Sequence, residues 1–171
     1  MELLERARQW ASHDPDPATA CALSTDIEAA ERGDEEAAAR VGAAMNGPLQ
    51  FGTAGLRGMV GPGESRMNLA VVIRATAGLC EVIKRHATGT PTLVVGCDAR
   101  YGSSEFADAA CRVASAAGVR VLALPQANPT PLTAFSMLHF DADAGVMVTA
   151  SHNPAPDNGY KVYLGGTVAQ G

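Results

Sequence analysis

No two cysteines of this chain stand at CxxC spacing, and no apolar run reaches 18 residues. The first absence removes the case for a zinc site or a redox dithiol, and the second excludes a helix that crosses a membrane. The N-terminal MELLERARQW has neither the basic region nor the apolar core of a secretory signal. Cys21, Cys80, Cys97 and Cys111 lie inside helical or strand-like runs and read as small buried hydrophobes kept reduced. The cytoplasm is the expected compartment. Positive charge is also short, with 13 Lys and Arg against 18 Asp and Glu and a net charge of −5. The deficit is local: residues 1–45 hold ten acids and four bases, whereas 46–171 hold eight and nine. An acidic leader argues against nucleic acid as the partner, because a phosphate backbone demands a basic face. The nearly neutral remainder leaves room for a few cations facing a small anionic metabolite.

Several nucleophile and phosphate-binding signatures are missing as well. There is no GxSxG elbow, no GxxxxGK[ST] loop and no GxGxxG fingerprint. Lysine is rare: eleven of the thirteen bases are arginine, leaving Lys84 and Lys161.

What is present divides into a leader and a regular α/β pattern. Residues 1–48 read as a helical extension: Leu3, Leu4, Ala7 and Trp10 at helical spacing, a break over His13–Pro17, and an Ala-rich stretch interrupted at Gly33-Asp34. Thr25 and Glu28 offer a capping box within it. Residues 49–171 then read as one domain of a size that can bury a core. A glycine-dense segment, FGTAGLRG (51–58), precedes a long amphipathic helix expected from Asn68, its cap, to about His86. Strands are expected at 92–97 (TLVVGC), 119–124 and 144–149 (AGVMVT), with helices at 103–117 and 130–140 between them. Near-continuous apolar strands alternating with helices predict a three-layer, doubly wound, mostly parallel α/β sheet covered on both faces. A last run, GYKVYL (159–164), alternates and is expected at an edge or antiparallel.

Ligands of such sheets bind outside the carboxyl ends of the strands. Three polar loops leave those ends here, over 98–104, 125–130 and 150–158. The third reads Thr149-Ala150-Ser151-His152-Asn153-Pro154, then Asn158-Gly159-Tyr160-Lys161. A histidine next to Ser151 in sequence is poorly placed to act as its base, so the loop suits a serine that holds a phosphate ester. Such an ester turns over only where cations and oriented donors offset its charge. Read by residue type alone, Ser151 also fits a loop or cap residue, His152 a polar turn, and Lys161 and Arg57 solvated charges. Asp98 and Arg100 fit a loop salt bridge or cap as well as a ligand contact. Ser103 and Ser104 fit the N-cap of the following helix. His13, His86 and His139 are assigned no chemistry.

TASHNP (149–154) followed by NGYK (158–161) resembles the phosphoserine loop of the α-D-phosphohexomutases, the family of phosphoglucomutases and phosphomannomutases. FGTAGLRG is similar to the opening segment of a branch that includes phosphopentomutases and certain bacterial phosphoglucomutases. VVGCDARYGSSEFADAA resembles the family's first strand–loop–helix unit. The resemblance runs over roughly 50–165, with three motifs in order.

It implies a phosphosugar mutase in which Ser151 carries the transferred phosphoryl group and, through that phosphate, binds Mg²⁺. It further implies Arg57 and Lys161 lining the phosphate, His152 orienting the loop, and Asn153 and Thr53 among the phosphate-binding residues. The phosphoserine phosphorylates a sugar phosphate, and the resulting sugar 1,6-bisphosphate, also the activator, turns around and returns its other phosphate. The family's metal loop and sugar-reading loop have no counterpart in these 171 residues. The remaining domains of a full-length enzyme are therefore the expected partners, with this chain alone inactive. Phosphoglucomutase is the preferred reading, with phosphomannomutase and phosphopentomutase as alternatives. A non-catalytic phosphosugar-binding module is the reading from another class.

Overall fold

The computed structural model describes residues 2–165 together with the backbone of 167–168; the last residues of the expected domain, 169–171, lie outside it. The leader forms three helices, α1 (Glu2–Ser12), α2 (Pro17–Glu31) and α3 (Glu35–Ala44). Each break is set by an aspartate. Asp16 accepts from the Ala18 N–H ahead of Pro17 at the first helical position, and Asp34 accepts from the Ala37 N–H. The expected capping box at Thr25 and Glu28 is not formed. Thr25 lies within α2 with its hydroxyl donating to the Cys21 carbonyl at 3.0 Å, because Asp16-Pro17 starts the helix earlier. Ala7, Leu23, Ile27, Val41, Ala44 and Met45 give the three helices a small core of their own.

The remainder comprises β1 (Leu56–Met59), α4 (Leu69–His86), β2 (Thr92–Cys97), α5 (Ser103–Ala116), β3 (Arg120–Ala123), α6 (Thr130–His139), β4 (Ala144–Val148), β5 (Asp157–Leu164) and β6 (Thr167–Val168). Asn68 caps α4 as its sequence predicts, accepting from the Val71 N–H at 3.0 Å. The sheet runs β1-β5-β4-β2-β3, with β6 on the far end of β5. It is mixed: β2 pairs in parallel with β3 and β4, while β5 is antiparallel to β4, β1 and β6. GYKVYL is thus antiparallel, as one expectation held, but it is not an edge. The short LRGM segment, which carries no strand pattern, supplies its outer partner. Alternation in the strands sorts the core. Leu93, Val95, Val146, Val148, Tyr160 and Val162 pack against α4 and α5, while Val94, Met147 and Tyr163 face α6. This gives the three layers. Among the described residues no helix is long and apolar enough to cross a membrane.

Because β2, β3 and β4 are parallel, the loops that follow them emerge at one edge of the sheet. β2 and β4 are direct neighbours, so the loop after β2 abuts the loop after β4 that carries Ser151.

Candidate functional site

Ser151 stands exposed on the loop between β4 and β5, with a left-handed backbone at φ 57°. A non-glycine residue holds that conformation only when its surroundings impose it, at a cost of about 1–2 kcal/mol. The surroundings are dense. Ser151 N–H donates to Thr149 Oγ1 at 2.9 Å, Asn153 N–H to the Ala150 carbonyl at 3.1 Å, and Asn153 Nδ2 to Asp157 Oδ2 at 2.9 Å. Ser151 Oγ lies 3.5 Å from His152 Nδ1, and both residues are exposed. That separation is at the long limit of a hydrogen bond, and among the described residues no other base lies within hydrogen-bond distance of Ser151 Oγ.

The largest contribution to the loop comes from Arg100, in the middle of the neighbouring loop between β2 and α5. Its Nη1 donates to the carbonyls of Pro154 at 2.9 Å and Asp157 at 3.0 Å. Its Nη2 donates to those of Ser151 and Asn153, both at 2.8 Å. The remaining nitrogen, Nε, faces Asp98 Oδ2 at 3.5 Å. Asp98 is fixed in turn, its Oδ1 accepting from the Arg100 N–H and from the Ser103 hydroxyl. The loop salt bridge foreseen for Asp98 and Arg100 is therefore present, but the guanidinium does more than pair. Ser103, expected as a cap, is instead the first residue inside α5. The N-cap is Gly102, with no side-chain bond, and the Ser103 hydroxyl also accepts from Asn158 Nδ2 at 3.0 Å. Asn158 is fully buried, and it gives a second hydrogen to the Tyr101 carbonyl at 2.8 Å.

Arg57 enters from β1. It pairs across the ladder with Gly159, and a Cβ at Gly159 would stand 3.1 Å from Arg57 Cγ and 2.6 Å from two backbone oxygens. Glycine there lets the arginine side chain lie over β5. Its Nη1 donates to Asn153 Oδ1 at 3.2 Å, which ties β1 to the serine loop, while its Nε is buried without a partner. Lys161 is on the same face, two residues along β5, a diagonal separation of roughly 7–8 Å. Its ammonium lies 5.5 Å from the Tyr163 ring centroid, and among the described residues it makes no hydrogen bond or ion pair. Neither Arg57 nor Lys161 has a carboxylate partner among those residues, whereas Arg6, Arg8, Arg32, Arg40, Lys84, Arg100 and Arg112 do. Thr53 is exposed at the tip of a turn in which Gly52 and Gly55 exchange backbone hydrogen bonds at 3.2 and 3.0 Å. That turn rests on β5: a Cβ at Gly55 would stand 2.5 Å from the Tyr160 carbonyl oxygen and 2.9 Å from Lys161 Cα.

The structure thus brings Ser151, His152, Asn153 and Arg57 together, sets Thr53 on a turn beside Lys161, and directs the Lys161 ammonium along the strand toward Tyr163. Residue-type reasoning understated Arg100 and overlooked Asn158. The available signal was topological: an arginine just past β2 must face whatever follows β4. For Mg²⁺, no group of three or more His, Cys, Asp or Glu side chains converges among the described residues. Asp157, the carboxylate of the serine loop, is engaged by Asn153. These residues do not make a magnesium site by themselves.

The α/β/α domain thus presents a strained, clamped serine loop at the carboxyl ends of its parallel strands, with Arg57 and Lys161, which have no carboxylate partner among the described residues, on the adjoining strands. Residues 48–170 match the family described as phosphoglucomutase/phosphomannomutase, alpha/beta/alpha domain I, and the chain belongs to that family. The human phosphopentomutase is 38% identical over 167 residues, which is 93% of this chain and 26% of that protein. A phosphoglucomutase of Staphylococcus epidermidis is 38% identical over 119 residues, 70% of this chain and 22% of the relative. The crystal structure of a phosphoglucomutase/phosphomannomutase family protein from Burkholderia thailandensis superposes with a TM-score of 0.60 at 26% identity, covering 71% of this chain and 27% of that one. The chain spans about a quarter of the length of these relatives.

Proposed function

We propose that this chain is the phosphoryl-carrying first domain of a phosphosugar mutase that interconverts hexose 1- and 6-phosphates. Phosphoglucose is the preferred substrate. The observation that carries the reading is Ser151 itself: exposed, held left-handed on a loop anchored from two strands, and with only a long 3.5 Å contact to His152 Nδ1 among the described residues. A serine presented in this way suits a phosphate carrier better than a nucleophile activated by a neighbour.

In the forward half-reaction a sugar hydroxyl oxygen attacks the phosphorus on Ser151, the bond from phosphorus to Ser151 Oγ breaks, and the hydroxyl proton passes to the departing serine oxygen. The bisphosphate then turns around, Ser151 Oγ attacks its other phosphorus, the bond from that phosphorus to the sugar oxygen breaks, and the serine proton passes to the departing sugar oxygen. Arg57 and Lys161 offset the charge on the phosphoryl oxygens, and their lack of carboxylate partners among the described residues leaves that charge available. Lys161, a compact cation with three donors, is the candidate to relay the proton, and its reach over β5 suits a group that swings in when phosphate is present. His152 and Asn153 set the loop around the phosphate, and Thr53 borders it. Mg²⁺, when bound, would further neutralise the phosphate, with the serine phosphate as one ligand and the others supplied from outside this chain.

Phosphopentomutase is the second reading, favoured by the human relative that aligns over 93% of the chain, leader included. The test is intact-mass analysis of an active mutase preparation containing this chain, treated with glucose 1,6-bisphosphate. One phosphate should appear on Ser151, and Ser151→Ala should take up none and lose turnover by about 10³-fold or more. An active preparation with Ser151 unmodified, or undiminished turnover in Ser151→Ala, would overturn the proposal.

A further inference from the structure

Arg100 uses every donor it has inside the protein. A guanidinium carries five N–H groups; four go to the carbonyls of residues 151, 153, 154 and 157, and the fifth faces Asp98. None is left for a ligand, so Arg100 cannot act as one more phosphate-binding cation without dismantling the loop. Its effect on the loop is nevertheless directional. Every peptide bond here is trans, and in a planar trans peptide the C=O and N–H of one unit point in opposite directions. Holding the Ser151 carbonyl on Arg100 therefore turns the N–H of His152 away from the guanidinium. That N–H has no hydrogen-bond partner among the described residues, whereas the amides of Ser151 and Asn153 on either side are both engaged. An unpaired amide beside an exposed hydroxyl is a free donor for an anion held on that hydroxyl.

We propose that Arg100 is a positioning residue for the phosphorylated state of Ser151. By holding the Ser151 carbonyl it aims the His152 N–H at an oxygen of the phosphoryl group on Ser151 Oγ. The inference rests on the phosphoserine reading and adds a donor and the residue that orients it. Lysine in place of Arg100 keeps the charge but has three donors on one nitrogen, and cannot span four carbonyls. Charge alone should not rescue the function.

The experiment uses an active mutase preparation containing this chain, labelled with ¹⁵N-histidine, so that few amides are seen. His152 is assigned by the signal lost in His152→Gln. On treatment with glucose 1,6-bisphosphate the His152 amide proton should move downfield as Ser151 gains one phosphate by mass. In Arg100→Lys that shift should disappear, and turnover should fall roughly 10²–10³-fold, as for removal of one oriented donor, with KM within about threefold of wild type. A phosphorylated wild type whose His152 amide does not move overturns the inference while leaving the phosphoserine intact. An Arg100→Lys protein that keeps both shift and turnover does the same. If wild type takes no phosphate on Ser151, the phosphoserine reading fails and this inference with it. Should Arg100→Lys not fold, the wild-type amide shift alone decides.

Discussion

Gly55→Ala puts a number on how firmly the glycine-dense segment is seated on the sheet. Gly55 has φ 89°, where a Cβ crowds its own backbone at about 1–2 kcal/mol. The new methyl would also stand 2.5 Å from the Tyr160 oxygen and 2.9 Å from Lys161 Cα. Both are backbone atoms of a strand paired on each side, so they cannot yield as a flexible side chain would. The turn must lift instead, and the mutual hydrogen bonds of Gly52 and Gly55 are strained or lost at about 1 kcal/mol each. Together these make a loss of about 3–4 kcal/mol, a large share of the ~5–15 kcal/mol stability of an ordinary domain. Gly118→Ala serves as the control: its φ is 81°, but no atom lies within 4 Å of its Cβ position, so only the 1–2 kcal/mol conformational cost of about the same size applies. Urea unfolding followed by circular dichroism gives the difference between the two variants, expected near ~2 kcal/mol. Equal losses in the two would refute the reasoning, since the contact with β5 would then contribute nothing.

Tyr160→Phe should change the response to alkali. The buried phenol donates to Thr76 Oγ1 at 2.8 Å, since the single Thr76 hydrogen goes to the Val72 carbonyl. Burial pushes the Tyr160 pKa well above its ordinary 10.0. The folded chain therefore keeps a proton that the unfolded chain loses: stability is full below that ordinary value and falls as pH rises beyond it, by up to about 1.4 kcal/mol per pH unit. The variant should lose about 1 kcal/mol at neutral pH and show a shallower decline of urea midpoints in alkali; identical slopes would count against the assignment. Asn68→Ala removes the cap of α4 and the donor to the Gly61 and Gly63 carbonyls at 2.9 and 2.8 Å. A loss of about 2–4 kcal/mol is expected, and one below about 1 kcal/mol would show that water replaces these bonds at little cost.

The parallel half of the sheet was legible because its strands are apolar on both sides. TLVVGC and AGVMVT have few other stable places, and the helices between them carry clear apolar stripes. The antiparallel half was less legible for the opposite reason. LRGM has an arginine and a glycine in four residues, and it forms a strand because β5 offers it an open row of backbone groups, which is a property of the fold. The cap error has the same root. Thr25 and Glu28 have the spacing of a capping box, but Asp16-Pro17 starts the helix first and leaves Thr25 bonded to the turn behind it.

The two arginines of the site show where residue-type reasoning stops. Arg57 and Arg100 are the same side chain, each within reach of the serine loop, and what separates them is their partners. Arg100 meets four backbone carbonyls and a carboxylate, and carbonyls have no signature in a sequence because every residue carries one. Its charge is therefore absorbed in holding the loop, and a phosphate could recruit it only by releasing Ser151 from its strained geometry. Arg57 makes one bond, to Asn153, and has no carboxylate among the described residues. At an effective dielectric of 20 its attraction for a unit negative charge about 5 Å away is roughly 3 kcal/mol, and a carboxylate already beside it would cancel much of that. One arginine thus builds the platform, and under the proposed function the other is the one whose charge would meet the phosphate, so exchanging the two should cost both the loop and the proposed phosphate contact.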